Sequence, residues 1–393
     1  MDSSATAATI ATTTPTTTST TTTTDTTPTA SANATTITSS STPTPDPTSL
    51  AWSPIAKSFN LGAAYLDNFQ IEAYLHALAD MYPHLITLGT LGNSYEGRPL
   101  YYVRLTAPIA NDTARPAKVG STWTLSGRPG ILMTSGMHAR EWIAPSVILN
   151  LLDIWTAGYG GDSLLTDLLS GFEMIIVPML NPDGYVWSWQ LNRLWRKTTQ
   201  LFAGGCMGVD LNRNFPASDW IDPENLNASS PDPCDDTFRG PYPGSAPETK
   251  ALVNFVADYQ AATGNMMQFV VDTHSYNLLW LYSFYDCSVA QSDSEANRGY
   301  VAEMAISAIY AVGGEVYTAG RICEVLYPTS GSTVEWAQEK YSISNSFAVE
   351  LRDDGTHGFL LPPDQIVPSV AEINMGILTA IAYSDTAAPS TVV

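Results

Sequence analysis

At 393 residues the chain can form one large domain or two smaller ones, and an apolar share of 44% can fill a substantial core. Only 14% of residues are charged, yet 38 acids against 17 bases leave a net charge of -21. So acidic a surface repels phosphate backbones and anionic lipids, which argues against nucleic-acid and membrane-surface partners. No apolar run is read as approaching the ~20 residues that span a bilayer.

Residues 1–55 are different material. The tract TTTPTTTSTTTTTDTTPTASANATT offers almost nothing to bury, so this segment is expected to be disordered or a glycosylated stalk. The opening MDSSATAATIATTT has neither the basic start nor the apolar block of a secretory signal. Asn33, Asn111 and Asn227 begin Asn-x-Ser/Thr triplets, which arise often by chance.

Residues 56–386 read as one domain, with a short tail at 387–393. NFQIEAYLHALADMYP places Ile71, Tyr74, Leu75, Leu78 and Met81 on one helical face. LITLGTLG and LYYVRLTA read as strands joined by the turn NSYEGRP. GILMTSG, EMIIVPML, MMQFVVDT and NSFAVEL are short apolar runs with little polar alternation, as in strands covered on both faces. Helical stretches separate them: APSVILNLLDIW, APETKALVNFVADY, EANRGYVAEMAISAIYAV and PDQIVPSVAEINMGILTAIAY. The alternation predicts a single α/β domain whose mixed, largely parallel β-sheet lies between helices.

Ligands of open α/β sheets bind outside the carboxyl ends of the strands. There GILMTSG runs into His138 and Glu141, MQFVVDT into His274, and NSFAVE ends on Glu350. MIIVPML runs into Asn181-Pro182-Asp183-Gly184, read as a turn. His-x-x-Glu with a distant His is the donor set of a catalytic zinc site, which keeps one position open. A lone His-x-x-Glu is common by chance. What sets His138 and His274 apart from His76, His84 and His357 is that both end apolar strands.

MHAREW, NPDGY, NRLWRK, VDLNRNF, DTHSY and FAVELRD, in this order, resemble the zinc metallocarboxypeptidases of the pancreatic carboxypeptidase A/B type, from about Phe59 to Tyr383. The resemblance implies the zinc carboxypeptidase fold, one zinc ion, and peptide or protein C-termini as substrate. His138, Glu141 and His274 match the zinc ligands. Asp210 matches the residue that orients the first histidine. Glu350 matches the catalytic carboxylate, and Arg196 the cation beside the scissile carbonyl. Asn212 and Arg213 match the pair that grips the terminal carboxylate. Tyr327 matches a mobile tyrosine, while Arg140, Arg193 and Tyr276 match contacts along the extended peptide. The bland alternatives are a Glu350–Arg352 ion pair and a solvated basic loop at NRLWRK.

Forms of the family that prefer C-terminal Lys or Arg carry an Asp at the pocket floor, where this chain has Val334. Ile322 and Ala348 also line up with pocket positions. The implied preference is an aromatic or aliphatic C-terminal residue. Tyr285 and Asp286 depart from the small residue usual in relatives and could narrow the pocket or restore a basic preference.

The four cysteines suit an oxidising compartment, extracellular or secretory/lysosomal, although no signal peptide is visible. The resemblance pairs Cys206 with Cys234 and Cys287 with Cys323. Closing such loops adds roughly 3–4 kcal/mol each in the chain-entropy model; the alternative is four free buried thiols. A monomer is expected. Relatives often carry a folded inhibitory pro-domain, which the Thr-rich segment cannot form. A binding-only pseudoenzyme would be expected to lack Glu350 or a ligand, and a zinc amidohydrolase need not combine NRLWRK with Tyr327.

Overall fold

The computed structural model describes residues 50–108, 127–218, 220–221, 228–264, 267–283, 287 and 293–384. All of them fall in one compact unit, Thr44–Val393. Asn33, Asn111, Asn227, Tyr285, Asp286, the Thr-rich tract to residue 49 and the tail at 387–393 lie outside the described residues.

Eight strands form one sheet: β1 (Ile86–Asn93), β2 (Pro99–Leu105), β3 (Gly130–Ser135), β4 (Glu173–Val177), β5 (Met267–Ser275), β6 (Leu279–Tyr282), β7 (Thr318–Arg321) and β8 (Asn345–Leu351). Their order across the sheet is β1-β2-β4-β3-β5-β8-β6-β7. The central run β4-β3-β5-β8 is parallel, as is β6-β7, while β1-β2, β2-β4 and β8-β6 are antiparallel. The mixed, largely parallel sheet is therefore as expected. The apolar runs that lack alternation are its central strands, of which β3 and β4 are buried throughout and β5 and β8 along most of their length.

The helices are α1 (Pro54–Ser58), α2 (Asn68–Met81), α3 (Ile143–Gly158), α4 (Ser163–Gly171), α5 (Pro182–Gln190), α6 (Pro247–Thr263), α7 (Asp293–Gly313), α8 (Ile322–Val325), α9 (Thr333–Tyr341) and α10 (Ile366–Tyr383). One core layer gathers side chains of α2, α3, α4, α7 and α10 against the sheet; a second gathers those of α6 and α9. In α2 the Asp67–Gln70 capping box fixes the start, and Ile71, Tyr74, Leu75 and Leu78 are buried. Met81, expected on the same face, is 42% exposed because the last turn runs past the edge of the core.

Four points differ from the sequence reading or add to it. Residues 50–55 fall in the segment expected to be disordered, yet Leu50 and Trp52 pack on the core and the Ser53 hydroxyl donates to buried Asp153 at 2.5 Å. Asn181-Pro182-Asp183-Gly184 is not a free turn but the start of α5, where the Asn181 side chain accepts from the Gly184 N–H and Pro182 suits the first turn. LWLY and TAGR, too short to show a period, are strands β6 and β7. Finally, Pro363–Tyr383 is long and apolar enough to cross a bilayer by those criteria alone. Its Ile366, Val370, Ile373 and Ile377 are buried and α10 packs on α3 and α7, as a core helix does.

Candidate active site

Strand register assembles the site. In β3 and β5, Thr134 pairs with Asp272; in β5 and β8, Asp272 pairs with Ala348 and His274 with Glu350; in β8 and β6, Ala348 pairs with Leu281. Residues two apart on a strand share a face. Thr134, Asp272, Ala348 and Leu281 thus form one row across the sheet, and His274 and Glu350 form the next row toward the carboxyl ends.

The other two ligands come from the turn after β3. Gly136 leaves the strand at φ +65°, and a Cβ there would meet Met179 Sδ at 2.7 Å, so the tight exit requires glycine. His138 and Glu141 follow, both buried. His138 Nδ1 lies 2.8 Å from Glu141 Oε1 and 3.2 Å from His274 Nδ1, and His274 Nδ1 lies 3.0 Å from Glu141 Oε2. Donor atoms around a tetrahedral zinc at ~2.0–2.1 Å stand roughly 3.3 Å apart, so this spacing fits the ion. Two imidazole nitrogens and a carboxylate are also donors that zinc accepts.

The far side of each ring supports the same arrangement. His138 Nε2 is 3.1 Å from Asp210 Oδ1, and His274 Nε2 is 2.9 Å from Asp272 Oδ2. With each Nε2–H donating to a carboxylate, both Nδ1 lone pairs turn toward Glu141. Asp210 is held well below the usual carboxylate range by Arg196, whose Nε and Nη2 donate to its Oδ2, and by His138. Glu141 is likewise held low, first by His138 and then by His274, against the opposing effect of its burial. His274 is raised well above its ordinary value by Asp272 and Glu141, again against burial. Asp272 had not been singled out in the sequence, although an acid two residues before a strand-end histidine must share its face.

Glu350 is half-buried and lines the cavity. Its Oε2 has no hydrogen-bond partner among the described residues. Burial first, then the charge of Glu141, raises its carboxyl above the ordinary value. The expected competitor, Arg352, is engaged elsewhere, with Glu372, Glu315 and Gln365. Arg196 is buried against Asp210, with Nη1 3.9 Å from Glu141 Oε1 and 3.3 Å from His138 Nδ1. NRLWRK is therefore no solvated loop at Arg196.

One cavity joins Glu350, His274, Arg196, Asn212, Arg213 and Tyr327 to an apolar wall of Leu281, Ile322, Leu326, Val334 and Ala348. Ser332 and Glu335 form a capping box that starts α9 and puts Val334 in its first turn, facing that wall. Asn212 accepts the Thr333 N–H and hydroxyl on its Oδ1, which orients its amide. Arg213 donates through Nε to the Ala228 carbonyl, through Nη1 to the Asn212 carbonyl and through Nη2 to the Tyr327 hydroxyl at 3.3 Å. Tyr327 is 44% exposed. Leu281, Leu326, Thr333 and Ser332 escaped the sequence reading because apolar and hydroxyl residues look like ordinary core and loop.

Arg140, Arg193 and Tyr276 do not line that cavity. Arg140 lies 4.3 Å over the Phe359 ring and pairs with exposed Asp236. The Arg193 guanidinium stacks 3.6 Å over Trp142 and donates to the carbonyls of Arg140 and Phe359. Tyr276 meets Phe359 edge to face at 4.9 Å. Disulfides join Cys206 to Cys234 and Cys287 to Cys323, with no free cysteine.

Fold and donor set together define a metallopeptidase site, and comparison with known proteins agrees. Residues 71–375 match the family model described as zinc carboxypeptidase. Rat carboxypeptidase A2 is 34% identical over 80% of this chain and 71% of its own length, and human carboxypeptidase A1 is 32% identical over 83% and 74%. Among solved structures, thrombin-activatable fibrinolysis inhibitor superposes with a TM-score of 0.73 at 29% identity, covering 85% of this chain and 78% of its own. Carboxypeptidase A from Helicoverpa armigera gives 0.70 at 29%, covering 84% and 75%. The chain belongs to the zinc carboxypeptidase family: it is a carboxypeptidase A-like metallopeptidase that hydrolyses peptide bonds, with zinc as its cofactor.

Proposed function

We propose that this protein removes single aromatic or aliphatic residues from free C-termini of peptides and proteins. The observation that carries the reading is the single cavity in which Arg213 and Asn212, Glu350 and the apolar wall around Val334 meet. A guanidinium fork matches a carboxylate, and only a chain end offers one there. An internal peptide bond would leave Arg213 desolvated and without a carboxylate, which selects for chain ends.

His138, Glu141 and His274 would hold the zinc ion, which when bound would supply Lewis acidity at the reacting centre. Glu350 takes the proton of the attacking water and returns it to the leaving amine; no described residue holds its Oε2 in a competing hydrogen bond. Arg196 stabilises the negative charge that develops on the carbonyl oxygen, and its own charge is secured by Asp210. Tyr327, hydrogen-bonded to Arg213 and exposed, covers the bound residue. Val, Ile, Leu and Ala around the side chain favour an apolar group: burying one gains roughly 1.5–3 kcal/mol. An ammonium without a partner there costs several kcal/mol. Arg140 and Tyr276 contact the upstream peptide, and Arg193 braces the backbone at Arg140 and at Phe359, the ring that both of them touch. Secretion to an oxidising compartment accords with the two disulfides.

The test is a set of blocked peptides that differ only in their last residue, Phe or Arg, and in a free or amidated C-terminus. The free Phe peptide should be cleaved fastest and the amides hardly at all. Equal cleavage of acid and amide would reject the exopeptidase reading.

A further inference from the structure

We infer that Asp272 is a positioning residue for the metal centre: it fixes the tautomer and ring plane of His274, as Asp210 does for His138. This deepens the reading of the site given above and rests on it.

Asp272 is fully buried on a central strand, where an uncompensated carboxylate costs several kcal/mol. It therefore needs partners, and it has two. Oδ1 accepts from the Thr134 hydroxyl at 2.7 Å, across the β3–β5 pairing in which Thr134 and Asp272 face each other. Oδ2 lies 2.9 Å from His274 Nε2. The i, i+2 spacing on β5 puts carboxylate and imidazole on one face, so strand geometry itself sets the contact.

The second consequence is electronic. An imidazole whose Nε2–H donates to a carboxylate presents Nδ1 as its lone pair and is a more basic ligand. The two dyads differ in their backing. Asp210 also takes two hydrogen bonds from Arg196 and the Asn212 N–H, so much of its charge is neutralised. Among the described residues the hydrogen bonds of Asp272 come only from neutral Thr134 and from His274, which leaves its charge to act on the ring. With Nε2–H turned to Asp272, the Asn212 Nδ2 that lies 3.2 Å from it has no acceptor there and stays free for substrate.

Asp272 also borders the cavity, which suggests a competing role as acceptor for a basic substrate side chain. Both of its oxygens are engaged, so the geometry favours the ligand-orienting role.

The experiment measures zinc dissociation constants of the full-length protein by chelator competition for wild type, Asp272→Asn and Thr134→Val. It is done well below the unfolding temperature of each metal-free form, with the visible spectrum of the cobalt-substituted proteins recorded alongside. Asp272→Asn should bind zinc about 10–100-fold more weakly and shift the cobalt bands. Thr134→Val keeps the carboxylate but loosens it, and should weaken zinc in the same direction by a smaller factor. Zinc affinity within twofold of wild type in Asp272→Asn, with unmoved cobalt bands, overturns the inference. So does a changed Phe-to-Arg preference with zinc affinity intact, which would make Asp272 a specificity residue. If Asp272→Asn fails to fold, unaltered zinc affinity in Thr134→Val overturns it. The failure of the exopeptidase reading is distinguishable, since zinc affinity is read without substrate.

Discussion

The two ends of the cavity are built on different principles. At the metal end the ligands and their supports have fixed partners: Glu141 faces two histidines, each histidine faces a carboxylate, and Asp210 is clamped by Arg196, while Glu350 Oε2 alone among these acids has no partner among the described residues. At the pocket end the wall is apolar, and although Arg213 and Asn212 are held by backbone contacts, Tyr327 meets Arg213 only at 3.3 Å and is exposed. The first end commits residues to one arrangement. The second leaves them able to adapt to an incoming side chain. Changes at the metal end should therefore abolish chemistry with the fold intact, while changes in the pocket should redistribute preference.

The largest effect expected is for Glu350→Gln. The amide keeps the shape but cannot accept a proton, so kcat should fall by about 10²–10⁴ while one zinc stays bound. Turnover at the wild-type level would remove Glu350 from the mechanism.

The pocket end is sharpened by Val334→Asp. For wild type the ratio of kcat/KM for matched peptides ending in Phe and Arg should be on the order of a hundred or more. The substitution should lower or invert that ratio with zinc content unchanged. A ratio near one in the wild type would mean that Val334 is not the determinant, and Asp286→Asn would then show whether Asp286, outside the described residues, supplies an acid.

Arg213→Ala removes a charged hydrogen-bonding group, worth about 1.5–3 kcal/mol, so binding of free-acid peptides should weaken roughly 10–100-fold. The slow cleavage of amides should be unaffected. Loss on both substrates alike would indicate structural damage instead.

Glu248 supplies a contrast outside both ends. It is buried, accepts the Tyr95 N–H at 2.8 Å, and its Oε2 has no partner among the described residues. Burial pushes its carboxyl up to about 7. A raised folded-state value means that its contribution to stability is fully present below the unfolded value of 4.5 and is lost as pH rises through about 7. The loss is on the order of 3 kcal/mol. Glu248→Gln, which stays neutral, should therefore flatten the decline of Tm between pH 5 and pH 8. An identical pH profile in the variant would show that another group governs it.

This contrast also explains what the sequence revealed. His138, Glu141, His274 and Glu350 stood out because a charged residue at the end of an apolar strand has no structural reason to be there, and the sheet does bring all four together. The central strands were legible for the same reason: burial on both faces erases alternation. Asp272 was hidden although it is charged, because the histidine beside it drew the reading to the strand end. Leu281 and Leu326 were hidden because a pocket wall and a core have one composition. β6 and β7 are too short for a period, and α10 is interrupted by Asn374 and Glu372, so its apolar length was underrated.

The most direct test follows peptide cleavage while metal-free protein is titrated with zinc. With a blocked dipeptide ending in a free Phe, release of Phe should rise linearly to one equivalent of zinc per chain and then level off. Glu350→Gln should bind that equivalent and release almost nothing. Cleavage by the metal-free protein, or activity that does not track the first equivalent of zinc, would contradict the account.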